Sequence, residues 1–186
     1  MAAPSVVDAN YRFIAAYQEV NARINQRQQA LALYVTMVVS LLAALVALKP
    51  VPGAKETPVE WLLLGFPVAS VCLAFLNYKA ERAISNLRSF MAELEQLGNA
   101  HLSLPSYNTE ARWADGANHA RRFHDLATTC LALGGNALGF CAAWQMYPLR
   151  WQESPVLWLV SCGLALLSLL VLVLTPKWSY RPVIKA

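Results

Sequence analysis

Charge is what this chain has least of. Asp, Glu, Lys and Arg make up 14% of its 186 residues, while 57% are hydrophobic. A soluble domain carries charge on about a quarter of its residues. The scarcity is concentrated in four long apolar stretches, Ala30–Leu48, Val59–Asn77, Leu126–Met146 and Val156–Leu174. Apart from Glu60 at the edge of the second stretch they hold no carboxylate, and none holds a histidine, which argues against a proton relay and against haem ligated between helices. The three histidines, His101, His119 and His124, all fall in the polar segment between the second and third stretches. Cysteine is equally sparse. Cys72, Cys130, Cys141 and Cys162 lie inside apolar stretches and none forms a CxxC pair. Reduced, buried thiols are therefore expected, with no disulfide and no metal site. A Walker loop and a zincin motif are missing too. The first apolar run follows a long polar segment, so no cleavable signal peptide is expected.

Each of the four stretches is long enough to cross a bilayer as a helix. Neither Pro nor Gly occurs from Val6 to Lys49, so one helix is expected from Ser5, its N-cap, through the first span to Lys49. The second span should continue through Tyr78 to about Leu97 and end at Gly98. A third helix, opened by Asn108 or Thr109, should run into the third span at Met146. The fourth occupies 155–174. The predicted fold is an all-α integral membrane protein of one domain, with four transmembrane helices. Long cytoplasmic helical extensions form an antiparallel stalk.

The stalk seam is read from periodicity. Phe13, Tyr17, Val20 and Ile24 recur at helical spacing on the first helix. Ala80, Ile84, Leu87, Met91 and Leu94 follow a heptad pattern on the second. On the third helix Trp113, Ala117, Ala120, His124 and Ala127 share a face. The third span carries a seam of small residues, Thr128, Ala132, Gly135, Gly139 and Ala142, with polar Asn136 between the glycines. This seam is expected to be the packing centre of the bundle. Whether it packs within one chain or between copies is open. Asn136 is expected to make a packing hydrogen bond, with pore lining as the alternative.

Lys and Arg set the topology. Twelve lie in the N-terminal segment, the middle segment and the tail; three (Lys49, Lys55 and Arg150) lie in the two other loops. By the positive-inside rule both termini are cytoplasmic. A multi-pass protein of the inner (plasma) membrane follows. Trp61, Trp144, Tyr147, Trp151 and Trp158 should mark the outer interface, and Tyr34, Tyr78, Trp178 and Tyr180 the inner one. Arg121, Arg122 and His124 form a juxtamembrane collar. It is read first as a topology anchor; a pH- or ligand-sensing role for His124 and lipid-headgroup binding by the arginines are the alternatives.

Arg112 and His119 resemble the Arg and His pair of HEPN ribonucleases. Trp113 and Gly116 depart from that pattern, and a solvated helix face is the reading kept. The polar helix with Arg23 and Arg27 entering the first span, and YKAERAISNLRSFMAELEQL leaving the second, resemble SLATT-like and related four-helix membrane effectors of prokaryotic anti-phage systems. That resemblance implies a non-enzymatic protein that oligomerises and perturbs the membrane as a pore-type effector. A membrane anchor or scaffold recruiting a soluble cytoplasmic partner is the alternative; a transporter or an enzyme with an intramembrane site comes third, because the uncharged spans argue against it. No cofactor and no nucleic-acid partner is expected; the bilayer and further copies of the chain are.

Overall fold

The computed structural model describes residues 8–48, 59–148 and 154–182. Among these the chain is helical and contains no strand. Helix α1 spans Ala9–Ala47, α2 Val59–Glu95, α3 Ala100–Ser103, α4 Ala111–Met146 and α5 Pro155–Leu174. Four of them, all but α3, are long and apolar enough to cross a membrane. At 1.5 Å per residue α1, α2 and α4 are each about 55 Å long, and α5 about 30 Å, the thickness of a hydrocarbon core. Only α5 fits wholly within such a layer. The other three extend past it at the same end, which forms a polar half of the bundle.

The helix ends follow local chemistry, in places shifted from expectation. Ser5 lies outside the described residues; α1 starts at Ala9, and the Asp8 carboxylate caps it by accepting from Tyr11 N–H at 2.7 Å. Helix α2 runs through Pro67 to Glu95, and a 3₁₀ turn follows over Leu97–Asn99. The residue in the left-handed region is Asn99, at φ 59°, a conformation asparagine tolerates well. Helix α4 is preceded by Glu110, which makes no side-chain cap. Asn108 is engaged elsewhere, as described below. Tyr147 closes the far end by donating its hydroxyl to Leu45 O at 2.9 Å, a carbonyl in the last turn of α1 that lacks a helical partner among the described residues.

The packing centre is α2, which touches α1, α4 and α5. In its most apolar window 44% of residues are buried, against 33% for α4 and 17% for α1. This corrects the expectation that the third span is the centre. The small residues of α4 do lie at the interface, but they receive bulky side chains from α1 and α2. A Cβ built on Gly135 would stand 2.5 Å from Tyr34 Oη and 3.2 Å from Val38 Cγ2. One built on Gly139 would stand 2.8–2.9 Å from the Phe66 ring. The pair thus packs within a single chain. Thr128, Ala132, Gly135, Asn136 and Gly139 are buried; the next buried residue is Ala143, with Ala142 half-buried beside it. On α5 the small residues Ser161, Ala165 and Ser168 are buried.

Asn136 makes a packing contact. Its amide donates to Ser70 Oγ at 2.7 Å and to Ala132 O at 2.8 Å, and Tyr34 Oη shares Ser70 at 3.1 Å. Three helices meet at this hydroxyl. Tyr34 is therefore a core residue, 3% exposed, and not an interfacial one. Tyr147 and Trp158 are likewise buried, whereas Trp61 and Trp144 are exposed; Trp151 lies outside the described residues. The four cysteines are free and exposed, on the outer faces of the apolar helices, where burial had been expected. A thiol is apolar enough to face lipid as readily as a core.

In the polar half α1 and α2 pack through Ala16, Val20, Ile84 and Met91, with Phe13 and Leu87 beside them. Leu94 is half-buried. Tyr17 and Ile24 are 55% and 41% exposed. Helix α1 keeps Phe13 and Val20 in the expected seam but is turned so that Ala16 and Arg27, not Tyr17 and Ile24, take the other inward positions. The small Ala16 side chain permits close approach; Arg27 is drawn in by partners of opposite charge. Ile84→Asp is expected to destabilise the protein by at least about 2 kcal/mol, because its carboxylate would lose water. Ile24→Asp is expected to be nearly silent. Denaturant titration of both variants checks the turn of α1, and equal losses would contradict it.

Candidate functional site

Where α1, α2 and α4 leave the apolar half, four charged side chains converge. Arg27 on α1 donates through Nε to Asn77 Oδ1 at 3.2 Å and through Nη1 to Glu81 Oε2 at 3.4 Å. Its Nη2 donates to Asp125 Oδ1 on α4. Arg121 donates to the other Glu81 oxygen at 2.8 Å. Glu81 is fully buried, and Arg27, Asp125 and Arg121 are nearly so. Two guanidinium groups thus face two carboxylates across three helices. Charges this deep persist only when paired. Burial pushes the Glu81 carboxyl above the usual carboxylate range; Arg121 and then Arg27 pull against it.

The C-terminal segment closes one side. Thr175–Trp178 form a 3₁₀ turn after α5. Ser85 donates to Trp178 O at 2.9 Å, and Trp178 packs edge-on against Tyr78 at 5.1 Å. Arg121 bonds Ser179, and Asn118 donates to Tyr180 O at 3.0 Å. The Tyr180 hydroxyl donates to Asn108 O at 2.9 Å. The tail is thereby bound to α2, to α4 and to the loop before α4.

Beyond the charge cluster lies Arg88, 6% exposed. Its Nε and Nη1 donate to Asn108 and Asn118 at 3.3 and 3.4 Å. Its guanidinium lies 5.1 Å from the Tyr180 ring centre and 5.8 Å from that of Tyr107. Among the described residues no carboxylate is within ion-pair distance, and Nη2 has no hydrogen-bond partner. Burial lowers its affinity for the proton, with the Tyr107 ring opposing this. Asn108 is held in turn by Glu95, which accepts from its backbone N–H at 3.0 Å and its amide at 2.8 Å.

A cavity of about 680 Å³ opens between α1, α2 and α4. Arg27, Arg88, Arg121 and His124 line it together with Tyr17 and Tyr107, and among the described residues no carboxylate does. Tyr17 and Ile24, turned away from the α1–α2 contact, form its outer wall. The volume falls in the range of small-molecule sites.

The collar residues separate here. Arg121 joins the buried cluster, His124 lines the cavity, and Arg122 is exposed. The inward face of α4 is Ala114, Asn118, Arg121 and Asp125, one residue beyond the apolar face that the sequence suggests; Trp113, Ala120 and Ala127 are exposed. Arg112 is exposed, paired with Glu110 at 3.0 Å and stacked on Trp113, while His119 bonds Asp115 O. Their side chains are thus tied locally and do not meet. Among the described residues no group of His, Cys, Asp and Glu could hold a metal ion. Arg27, Asn77, Glu81, Arg88, Asn108, Asn118 and Tyr180 carry no motif. Their one sequence signal is spacing. Val20, Arg27 and Tyr34 recur every seven residues, and Asn77, Glu81 and Arg88 are spaced four and seven.

Burial, and then Arg27, lower the His124 value below that of a free imidazole, with Asp125 opposing. His124 is therefore neutral at pH 7, which moves any sensing role toward acid. A histidine that binds its proton more readily when unfolded contributes stability that is present above about pH 6.5 and lost as pH falls toward the folded value. Wild-type melting temperature should decline through that window, and His124→Gln should flatten the decline. An unchanged slope would assign the decline to other groups. Comparison with protein families, with curated proteins and with solved structures gives no match for this chain.

Proposed function

We propose that this protein is a non-enzymatic, homo-oligomeric effector of the plasma membrane, of the pore-forming kind used in anti-phage defence. Both termini and the polar halves of α1, α2 and α4 face the cytoplasm in this reading. The observation that supports it is the buried cluster of Arg27, Glu81, Arg121 and Asp125. It ties the polar half to the start of the spans, so a change at the polar end reaches the membrane helices through paired charges. The outward face of α1, with Leu33, Val35, Met37 and Val39 exposed, is available to lipid or to a second copy. Dye release from liposomes, read beside the oligomeric mass in detergent, tests the proposal. An oligomer that leaks under some stimulus is expected; a monomer that never leaks would refute it. Cysteine pairs for labelling belong in a background without the four native thiols, and modification near Asp8 from outside the cell would refute the orientation.

The alternative reading, a membrane anchor for a soluble partner, has its own support. Leu97, Leu102 and Leu104 are exposed together in sequence around α3, and apolar surface of this kind serves protein contacts. A soluble protein that co-purifies with the wild type and is lost from a Leu102→Glu/Leu104→Glu variant would favour it.

A further inference from the structure

We infer that the cavity between α1, α2 and α4 is an anion site that takes a phosphate group, with Arg88 as its principal ligand.

The argument begins with charge. Four cationic or protonatable side chains, Arg27, Arg88, Arg121 and His124, line one cavity of about 680 Å³ with no carboxylate among its walls. Arg27 and Arg121 are neutralised from behind by Glu81 and Asp125. Arg88 has no ion pair among the described residues. Its direct neighbours are two neutral amides and two phenol rings, Glu81 acts on it only from beyond ion-pair distance, and a buried cation left so is costly unless an anion completes it. Its Nη2 is buried and has no hydrogen-bond partner. A planar guanidinium with an unpaired donor suits a phosphate oxygen, which a small shift of the cavity wall would bring to it.

The second strand is how Arg88 is held. Asn108 and Asn118 fix its Nε and Nη1, Glu95 fixes Asn108, and Tyr180 from the C-terminal segment bonds both the Asn108 carbonyl and, through its ring, the guanidinium face. Ordinary surface arginines are not supported by three layers of partners; a binding residue is. The remaining walls, from Val20, Ile24, Ile84 and Ala117, keep the local dielectric low and so strengthen an ion contact. The cavity adjoins the level at which the helices leave the apolar half. A phosphate on a small soluble molecule and the phosphate of an anionic lipid headgroup both fit this chemistry.

The site bears on the proposed function as the place where a signal would enter, and only that consequence rests on the effector reading. The test reads binding directly. Full-length protein is placed in nanodiscs of phosphatidylcholine, with or without phosphatidylglycerol, and its melting temperature is followed while sn-glycerol 3-phosphate is added. Arg88→Gln removes the ligand. Because Arg88 is buried and its loss could prevent folding, Ala117→Glu is the second variant: it sets a carboxylate on the half-exposed cavity wall and leaves Arg88 in place. Stabilisation by glycerol 3-phosphate in phosphatidylcholine discs, weakened at least tenfold in apparent affinity by Ala117→Glu, establishes the site for a soluble phosphate. Stabilisation by phosphatidylglycerol alone, lost in Ala117→Glu, establishes it for a lipid headgroup. No stabilisation from either source, or stabilisation that Ala117→Glu leaves unchanged, overturns the inference. Such a failure is separable from failure of the effector reading, which the liposome leak assay decides without added phosphate.

Discussion

Arg27→Ala is expected to be among the most damaging single substitutions in the protein, with a loss of about 3–5 kcal/mol. The guanidinium is 4% exposed and bonds Asn77, Glu81 and Asp125 at once. Its removal leaves Glu81 and Asp125 buried with Arg121 as their one remaining cation in the cluster. The cost is dominated by those stranded carboxylates rather than by the lost attraction, because desolvating both partners offsets much of the attraction in a buried pair. Arg27→Ala combined with Asp125→Asn should therefore recover at least about 1 kcal/mol of the single-variant loss, the signature of groups in direct contact. Unfolding in mixed micelles by a denaturing detergent measures both. A loss below about 1 kcal/mol for Arg27→Ala, as an exposed pair would give, would mean that water reaches the cluster. It would also remove the mechanical link between the polar half and the spans on which the proposed function rests.

The second large effect is expected at the glycines of α4. Gly139→Ala places a methyl group within 2.9 Å of the Phe66 ring, which is itself fully buried. Gly135→Ala drives into Tyr34 Oη, which is held by Ser70. Overpacking of this kind costs about 1–3 kcal/mol, and leucine at either position should prevent assembly of the bundle. Gly134 supplies the control. Nothing lies within 4 Å of a Cβ there, so Gly134→Ala should be neutral or gain up to about 1 kcal/mol from helix propensity. Asn136→Leu falls between these. It loses one interhelical hydrogen bond, worth about 0.6 kcal/mol in a membrane. It also removes an amide oxygen that has no partner. The expected order of damage is Gly139 and Gly135, then Asn136, then Gly134. If Gly139→Ala and Gly134→Ala were equally mild, the close approach of α2 and α4 would be disproved.

Hydrophobic periodicity is informative where the buried face is apolar and misleading where it is not. The α4 seam from Thr128 to Gly139 is legible because its neighbours in sequence are large and greasy, so the small residues stand out. On α1 two bulky apolar side chains of the polar half, Tyr17 and Ile24, are on the cavity wall, while Ala16 and Arg27 turn inward. On α2 two inward faces run side by side. Ile84 and Met91 make apolar contact with α1, whereas Glu81 meets Arg27 of α1 and Arg121 of α4, and Arg88 meets amide groups of α4 and its preceding loop. A hydrophobic pattern registers the first face and is blind to the second. The inward face of α4 from Ala114 to Asp125 is polar for the same reason.

What the sequence by itself determined is therefore the number, approximate length and apolar character of the four long helices, together with the small-residue face of α4. These depend on composition, on helix breakers and on spacing along one chain, all local quantities. Only the tertiary structure decided that α2 is the centre of the bundle and that Gly135 and Gly139 receive Tyr34 and Phe66 of the same chain. It also decided that Arg27, Glu81, Arg121 and Asp125 share one buried site and that Arg88 faces a cavity without a carboxylate. A charged side chain reads as solvent-exposed until a counter-charge is brought to it. Here those partners lie 54 and 98 residues away from Arg27, so burial became favourable only once three separate helices had been laid side by side.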